Sequence, residues 1–109
     1  MSVAKPLPHD AAALHVTGQA RYVDDIPTPK GTLHLAFGLA PIAKGKITAM
    51  NLAEVRASQG VVAVLAADDL PFDNDVSPSA HDEPLLAKGE VHYLGQPVFL
   101  VVATSHRAA

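Results

Sequence analysis

The sequence predicts an α+β domain: a mixed sheet with one or two short helices. Three observations predict it. The stretch TLHLAFGLA, Thr32 to Ala40, alternates with period two, as a strand does. Asn51 to Gly60 carries the start and stop signals of a short helix. The runs VVAVLA, Val61 to Ala66, and VFLVVA, Val98 to Ala103, are apolar throughout and read as buried strands. A length of 109 residues with 49% apolar content suits one domain with a real core.

Residues 1–17 are expected to form an extended leader, because Pro6 and Pro8 discourage helix. AAALHV, Ala11 to Val16, offers at most a short helix, which Thr17-Gly18 ends. Gly18 suits a turn of positive φ. Residues 18–109 then make the domain. In the first strand Leu33, Leu35, Phe37 and Leu39 share one face. Thr32, His34, Ala36 and Gly38 share the other, which is small and only partly polar, so close packing is possible there too. Lys44-Gly45-Lys46 reads as a turn into a short second strand, Ile47 to Met50. Asn51 is a good N-cap, with Glu54 placed as in a capping box. Leu52 and Val55 face the same way, and Gly60 stands where a left-handed cap belongs. This predicts a β–α–β unit.

Asp68 to Pro84 is a long loop with three Pro and seven carboxylate or carboxamide side chains. Loops this long in compact domains are commonly functional or mobile. Pro97 cannot donate to a central ladder, so a bulge or a sheet edge is expected at Gly95-Gln96-Pro97. In the final TSHRAA, Thr104 or Ser105 takes an N-cap position as the chain stops. This predicts a piece of a longer polypeptide that self-associates when a covering helix is missing.

Composition removes several function classes. The formal charge is -3 and the eight Lys and Arg are scattered, which disfavours nucleic acid. With no Cys the chain has no thiolate zinc site, cluster ligand, disulfide or Cys nucleophile. No apolar run could span a bilayer and no secretory signal opens the chain, so the expectation is cytoplasmic, with no membrane partner.

The candidate chemistry is sparse. Asp24-Asp25 and Asp68-Asp69 each precede an aliphatic residue and Pro. Neighbouring residues on an extended chain point apart, so each pair reads as a turn whose Asp accepts backbone N–H groups. The six His form none of the helical or strand metal spacings, so no metal site is expected. No phosphate loop and no nucleophile elbow is present. The hairpin-like ITAMNL puts Asn51 where a biotinyl or lipoyl carrier needs Lys. No catalytic residue and no cofactor-binding residue is assigned.

Three segments carry a resemblance. They are G-x-A-x-Y-x-x-D at Gly18, Ala20, Tyr22 and Asp25, the V-R-A-x-x-G-V-x-A-V passage from Val55 to Val64, and LGQPV from Leu94 to Val98. In this order they resemble the α/β-hammerhead domain of the aldehyde oxidase and xanthine dehydrogenase family, at the start of the molybdenum-binding large subunit. Xanthine dehydrogenase is the member most closely suggested. The resemblance implies an enzyme that hydroxylates hypoxanthine and xanthine to urate at a molybdenum–molybdopterin centre, with water as the oxygen source. Electrons would pass through two 2Fe–2S clusters to FAD and on to NAD. It implies as partners the remaining domains of the large subunit and an iron–sulfur/FAD subunit. This fragment alone is expected to bind none of these cofactors and to catalyse nothing. Ser79, Ala80 and His81 are expected in a loop bordering the substrate funnel. The alternatives are the same domain of an aldehyde or carbon monoxide oxidising hydroxylase, or a non-catalytic binding module.

Overall fold

The computed structural model describes residues 3–109. It forms two units, one up to Lys30 and one from Gly31 to Ala109.

The first unit holds a five-residue helix, α1 (Ala12–Val16), and a short 3-10 turn, Val23–Asp25. The leader is therefore not extended throughout. Gly18 does take positive φ, +71°. Its effect is to fold the chain back, since the Gln19 and Ala20 N–H groups both donate to the Leu14 carbonyl at 2.8 and 3.0 Å. That bond pair ties the following residues to α1 rather than separating them. The Tyr22 ring lies 6.1 Å from that of His15 within the same unit.

The second unit contains two sheets. The larger has three strands, β1 (His34–Leu39), β3 (Val61–Ala66) and β5 (Pro97–Ala103), with β5 in the middle. The smaller pairs β2 (Gly45–Lys46) with β4 (Glu90–Val91). Every pairing among the described residues is antiparallel, where a mixed sheet was expected. β1 and β3 do run parallel, but β5 separates them, so neither pairs with the other. Gly45 and Lys46 are strand rather than turn, and Ile47–Met50 is not a strand. Pairing sits two residues earlier, at Gly45 opposite Val91. Gly45 leaves room for Ile42, whose Cδ1 would lie 2.6 Å from a Cβ there.

The helix α2 (Ala53–Ala57) begins one residue later than an Asn51 N-cap implies, with Leu52 directly before it. The Ala53 N–H donates to Asn51 Oδ1 at 3.1 Å. The chain then turns through Gly60, at φ +89°, into β3. Pro97 opens β5 opposite a register shift at Gly38/Leu39, so the expected bulge is present, while the strand is central and not an edge. At the C-terminal turn the Ala108 N–H donates to Ser105 Oγ at 3.2 Å, the capping geometry the sequence suggests.

Cross-strand partners in antiparallel sheets share a face. The inner face carries Ala36, Val101 and Val64 in one row, and Gly38, Phe99 and Ala66 in the next. Leu52 and Val55 cover it, and Val64 and Val101 are buried with them. A second cluster holds Ala40, Ala87, Val91 and Val98. Phe99 packs against both clusters. The opposite face carries Leu35, Phe37, Val102, Leu100, Ala63 and Leu65. It is open: Leu35 is 60% exposed and Phe37 48%. The large apolar side chains of β1 thus point away from the core and the small ones toward it. A glycine-to-aromatic fit is the reason, since a Cβ on Gly38 would stand 2.1 Å from Phe99 Cζ.

Candidate functional site

Both acidic pairs are turns of one construction. In each, the second Asp accepts the backbone N–H three residues earlier: Tyr22 to Asp25 Oδ2 at 2.9 Å, and Ala66 to Asp69 Oδ2 at 2.8 Å. The second turn is further braced on the surface. Arg56 lies 3.7 Å from Asp69, and Lys88 meets Asp68. Neither pair converges on a site.

The long loop is the better candidate, and it is built as a closed structure. At its base one side chain replaces a strand partner. Asn74 Nδ2 donates to the Leu86 carbonyl at 2.7 Å, and the Leu86 N–H donates to Asn74 Oδ1 at 2.8 Å. Leu86 is fully buried, so both its backbone groups would otherwise lack partners. Above it the Val76 N–H donates to the Glu83 carbonyl at 2.9 Å, and the Glu83 N–H donates to Ser77 Oγ at 2.7 Å. At the top the Asp75 carboxylate takes the Ser77 N–H at 2.9 Å on Oδ1 and the His81 ring on Oδ2. These bonds hold the Asp75 carboxyl below the usual carboxylate range, Ser77 contributing first and His81 after it.

The three predicted funnel residues therefore divide. Ser79 and Ala80 stand exposed at the tip. His81 is exposed too, but its ring is engaged by Asp75 and its backbone is left-handed, at φ +55°. Sequence reasoning missed Asn74, Asp75 and Ser77, which do the holding. The signal was present as N-D-x-S, since Asn, Asp and Ser are the side chains that bond nearby backbone. Beside the loop lies a cavity of about 500 Å³ lined by Val76, Asp82, Glu83, Pro84, His92, Tyr93 and Gln96. Gln96 is 2% exposed and its Oε1 accepts the His92 N–H at 2.7 Å, which fixes that wall.

Residues 17–109 match the family model described as the aldehyde oxidase and xanthine dehydrogenase a/b hammerhead domain. The chain belongs to this family. It is 38% identical over 108 residues to xanthine dehydrogenase 1 of Arabidopsis thaliana, covering 99% of this chain and 8% of that protein. It is 41% identical over 102 residues to a nicotinate hydroxylase of Emericella nidulans, covering 93% of this chain and 8% of that one. Among solved structures, the aldehyde oxidoreductase of Desulfovibrio gigas superposes with a TM-score of 0.77 at 29% identity, over 92% of this chain and 12% of that chain. The 109 residues thus span under a tenth of the curated relatives they match. Family membership accounts for the chain's fold, with its two short helices and antiparallel sheets.

Proposed function

We propose that this chain is the scaffold domain of a molybdenum hydroxylase of the xanthine dehydrogenase type, which oxidises hypoxanthine and xanthine to urate. In this reading residues 18–109 form the domain and residues 1–17 its leader. The observation that carries it is the 38% identity to a xanthine dehydrogenase across essentially the whole chain. The nicotinate hydroxylase relative favours a second reading, in which the substrate is another nitrogen heterocycle. The likeness to solved aldehyde oxidoreductase and CO dehydrogenase structures keeps an aldehyde or carbon monoxide oxidising member as an enzyme alternative.

The whole enzyme would use molybdenum–molybdopterin, two 2Fe–2S clusters and FAD, with NAD as acceptor. Among the described residues no three His, Asp or Glu side chains come together as metal ligands. The partners of the whole enzyme would be the other domains of the large subunit and an iron–sulfur/FAD subunit. No described helix is long and apolar enough to cross a membrane; in this reading the whole enzyme would be cytoplasmic. The isolated chain would catalyse nothing and would self-associate through its open apolar face.

The loop from Phe72 to Glu83 would border the substrate path, with Ser79 and Ala80 at its tip. A wall of this kind excludes water and limits how substrate enters; it transfers no proton. The test uses the full-length enzyme with Ser79 and Ala80 both changed to Phe. Xanthine oxidation with NAD should fall about tenfold in kcat/KM, roughly 1.4 kcal/mol, with molybdenum content unchanged. Absence of xanthine turnover in the wild-type enzyme would remove the purine reading. Unchanged kinetics in the variant would leave the loop as plain surface.

A further inference from the structure

The loop tip is set by side chains that do not themselves lie at the tip. Two rungs, Asn74 with Leu86 and Val76 with Glu83, bring the two sides of the loop together. Above them Asp75 holds Ser77 on one oxygen and His81 on the other. The chain between Ser77 and His81 is then short and closed: Pro78, Ser79 and Ala80. His81 reaches Asp75 from a left-handed backbone. That conformation is uncommon for a side chain other than glycine, and Asn, Asp and His are the types that accept it most readily. The residue type, the backbone and the acidic partner thus agree on one arrangement.

We propose that Asp75 and His81 are positioning residues, a staple that fixes the tip so that Ser79 and Ala80 face the substrate path while His81 does not. The proposal rests on the reading of this loop as a wall of that path. The staple is a solvent-accessible side-chain pair, with the His81 side chain 81% and the Asp75 side chain 28% exposed. Pairs of this kind are worth only a few-fold in an equilibrium. Releasing it loosens the tip without removing a catalytic group. The expected signature is a KM raised about threefold with kcat unchanged.

The experiment uses the full-length enzyme with four variants: Asp75→Asn, His81→Gly, the double, and His81→Asn. Steady-state xanthine kinetics are measured beside hydrogen exchange of peptides spanning residues 74–86. Asp75→Asn and His81→Gly should each raise KM about threefold and speed exchange at the Val76, Ser77 and Glu83 amides by a similar factor. The double should be no worse than either single, because both remove the same contact. His81→Asn keeps tolerance of the left-handed backbone and an amide donor, and should restore most of the KM. Additive single effects, or wild-type exchange in Asp75→Asn, would overturn the staple. A separate Ser79→Phe variant distinguishes the two levels. If it lowers kcat/KM while the staple variants do nothing, the wall stands and the staple falls. If it leaves kcat/KM unchanged, the wall reading fails and the positioning role fails with it.

Discussion

Gly38→Ala tests the packing that decides which way the sheet faces. Gly38 pairs with Phe99 across β1 and β5. An added Cβ would stand 2.1 Å from Phe99 Cζ and 2.2 Å from Cε1. Carbon atoms in favourable contact sit about 3.5–4 Å apart, so the ring must move by about 1.4 Å or more. Phe99 is partly buried and packs against both buried clusters, so moving the ring disturbs both. Overpacking of this kind costs roughly 1–3 kcal/mol. Replacing a strand glycine returns roughly 0.5–1 kcal/mol of backbone entropy. The net loss should be about 1–2 kcal/mol, or roughly 4–16 °C in Tm for a domain of this size. Thermal unfolding followed by circular dichroism in dilute solution reads this directly. Phe99→Leu shortens the side chain that Cβ would strike, so the pair Gly38→Ala with Phe99→Leu should lose less than the sum of the singles. A wild-type Tm for Gly38→Ala, or strict additivity with Phe99→Leu, would refute the packing argument.

Two further predictions follow from the loop base and the open face. Asn74→Ala should lower stability by about 2–4 kcal/mol, since two backbone groups of buried Leu86 lose their partners at about 1–3 kcal/mol each; a wild-type urea midpoint would contradict it. Asn74→Asp keeps the acceptor for the Leu86 N–H but sets a carboxylate against the Leu86 carbonyl, so it should recover part of that loss only as pH falls and the carboxyl protonates. The open face of β1, β5 and β3 measures about 14 by 20 Å from strand spacing and rise, far below the roughly 800 Å² per partner of a standard interface. The isolated chain should therefore dimerise weakly and in a concentration-dependent way, and Phe37→Lys should abolish it. A strictly monomeric wild-type chain by light scattering at high concentration would sink this.

What was legible in the sequence was local. Asn51 announced α2, Gly18 and Gly60 announced their positive φ, and the Asp pairs announced two turns, because in each case the deciding bond spans two or three residues. Pro97 announced a bulge for the same reason, since its missing N–H acts at its own position. What was not legible was set by distant partners. The antiparallel order depends on β5 entering between β1 and β3. The loop base depends on Asn74 meeting Leu86, twelve residues on. His81 was named as a site residue by its place in the loop that the resemblance implies, whereas its engagement with Asp75 appears only in three dimensions.

The inverted face of β1 ties these points to function. Period two says that the faces differ, not which one is inside. Burial of Leu35 and Phe37 would be worth more than burial of Ala36 and Gly38, so a free-standing domain has reason to turn the strand over. It does not, because Gly38 is the residue that admits Phe99 to the core. The edges point the same way. β1 and β3 are both edge strands, and neither contains an Asp, Glu, Lys, Arg or Pro. Independent sheets commonly guard such edges with charge or proline. An unguarded sheet with its larger apolar side chains outward gains its full stability only when something covers it. That is the physical demand placed on one domain among several, and it weighs for an enzyme scaffold over a free-standing binding module.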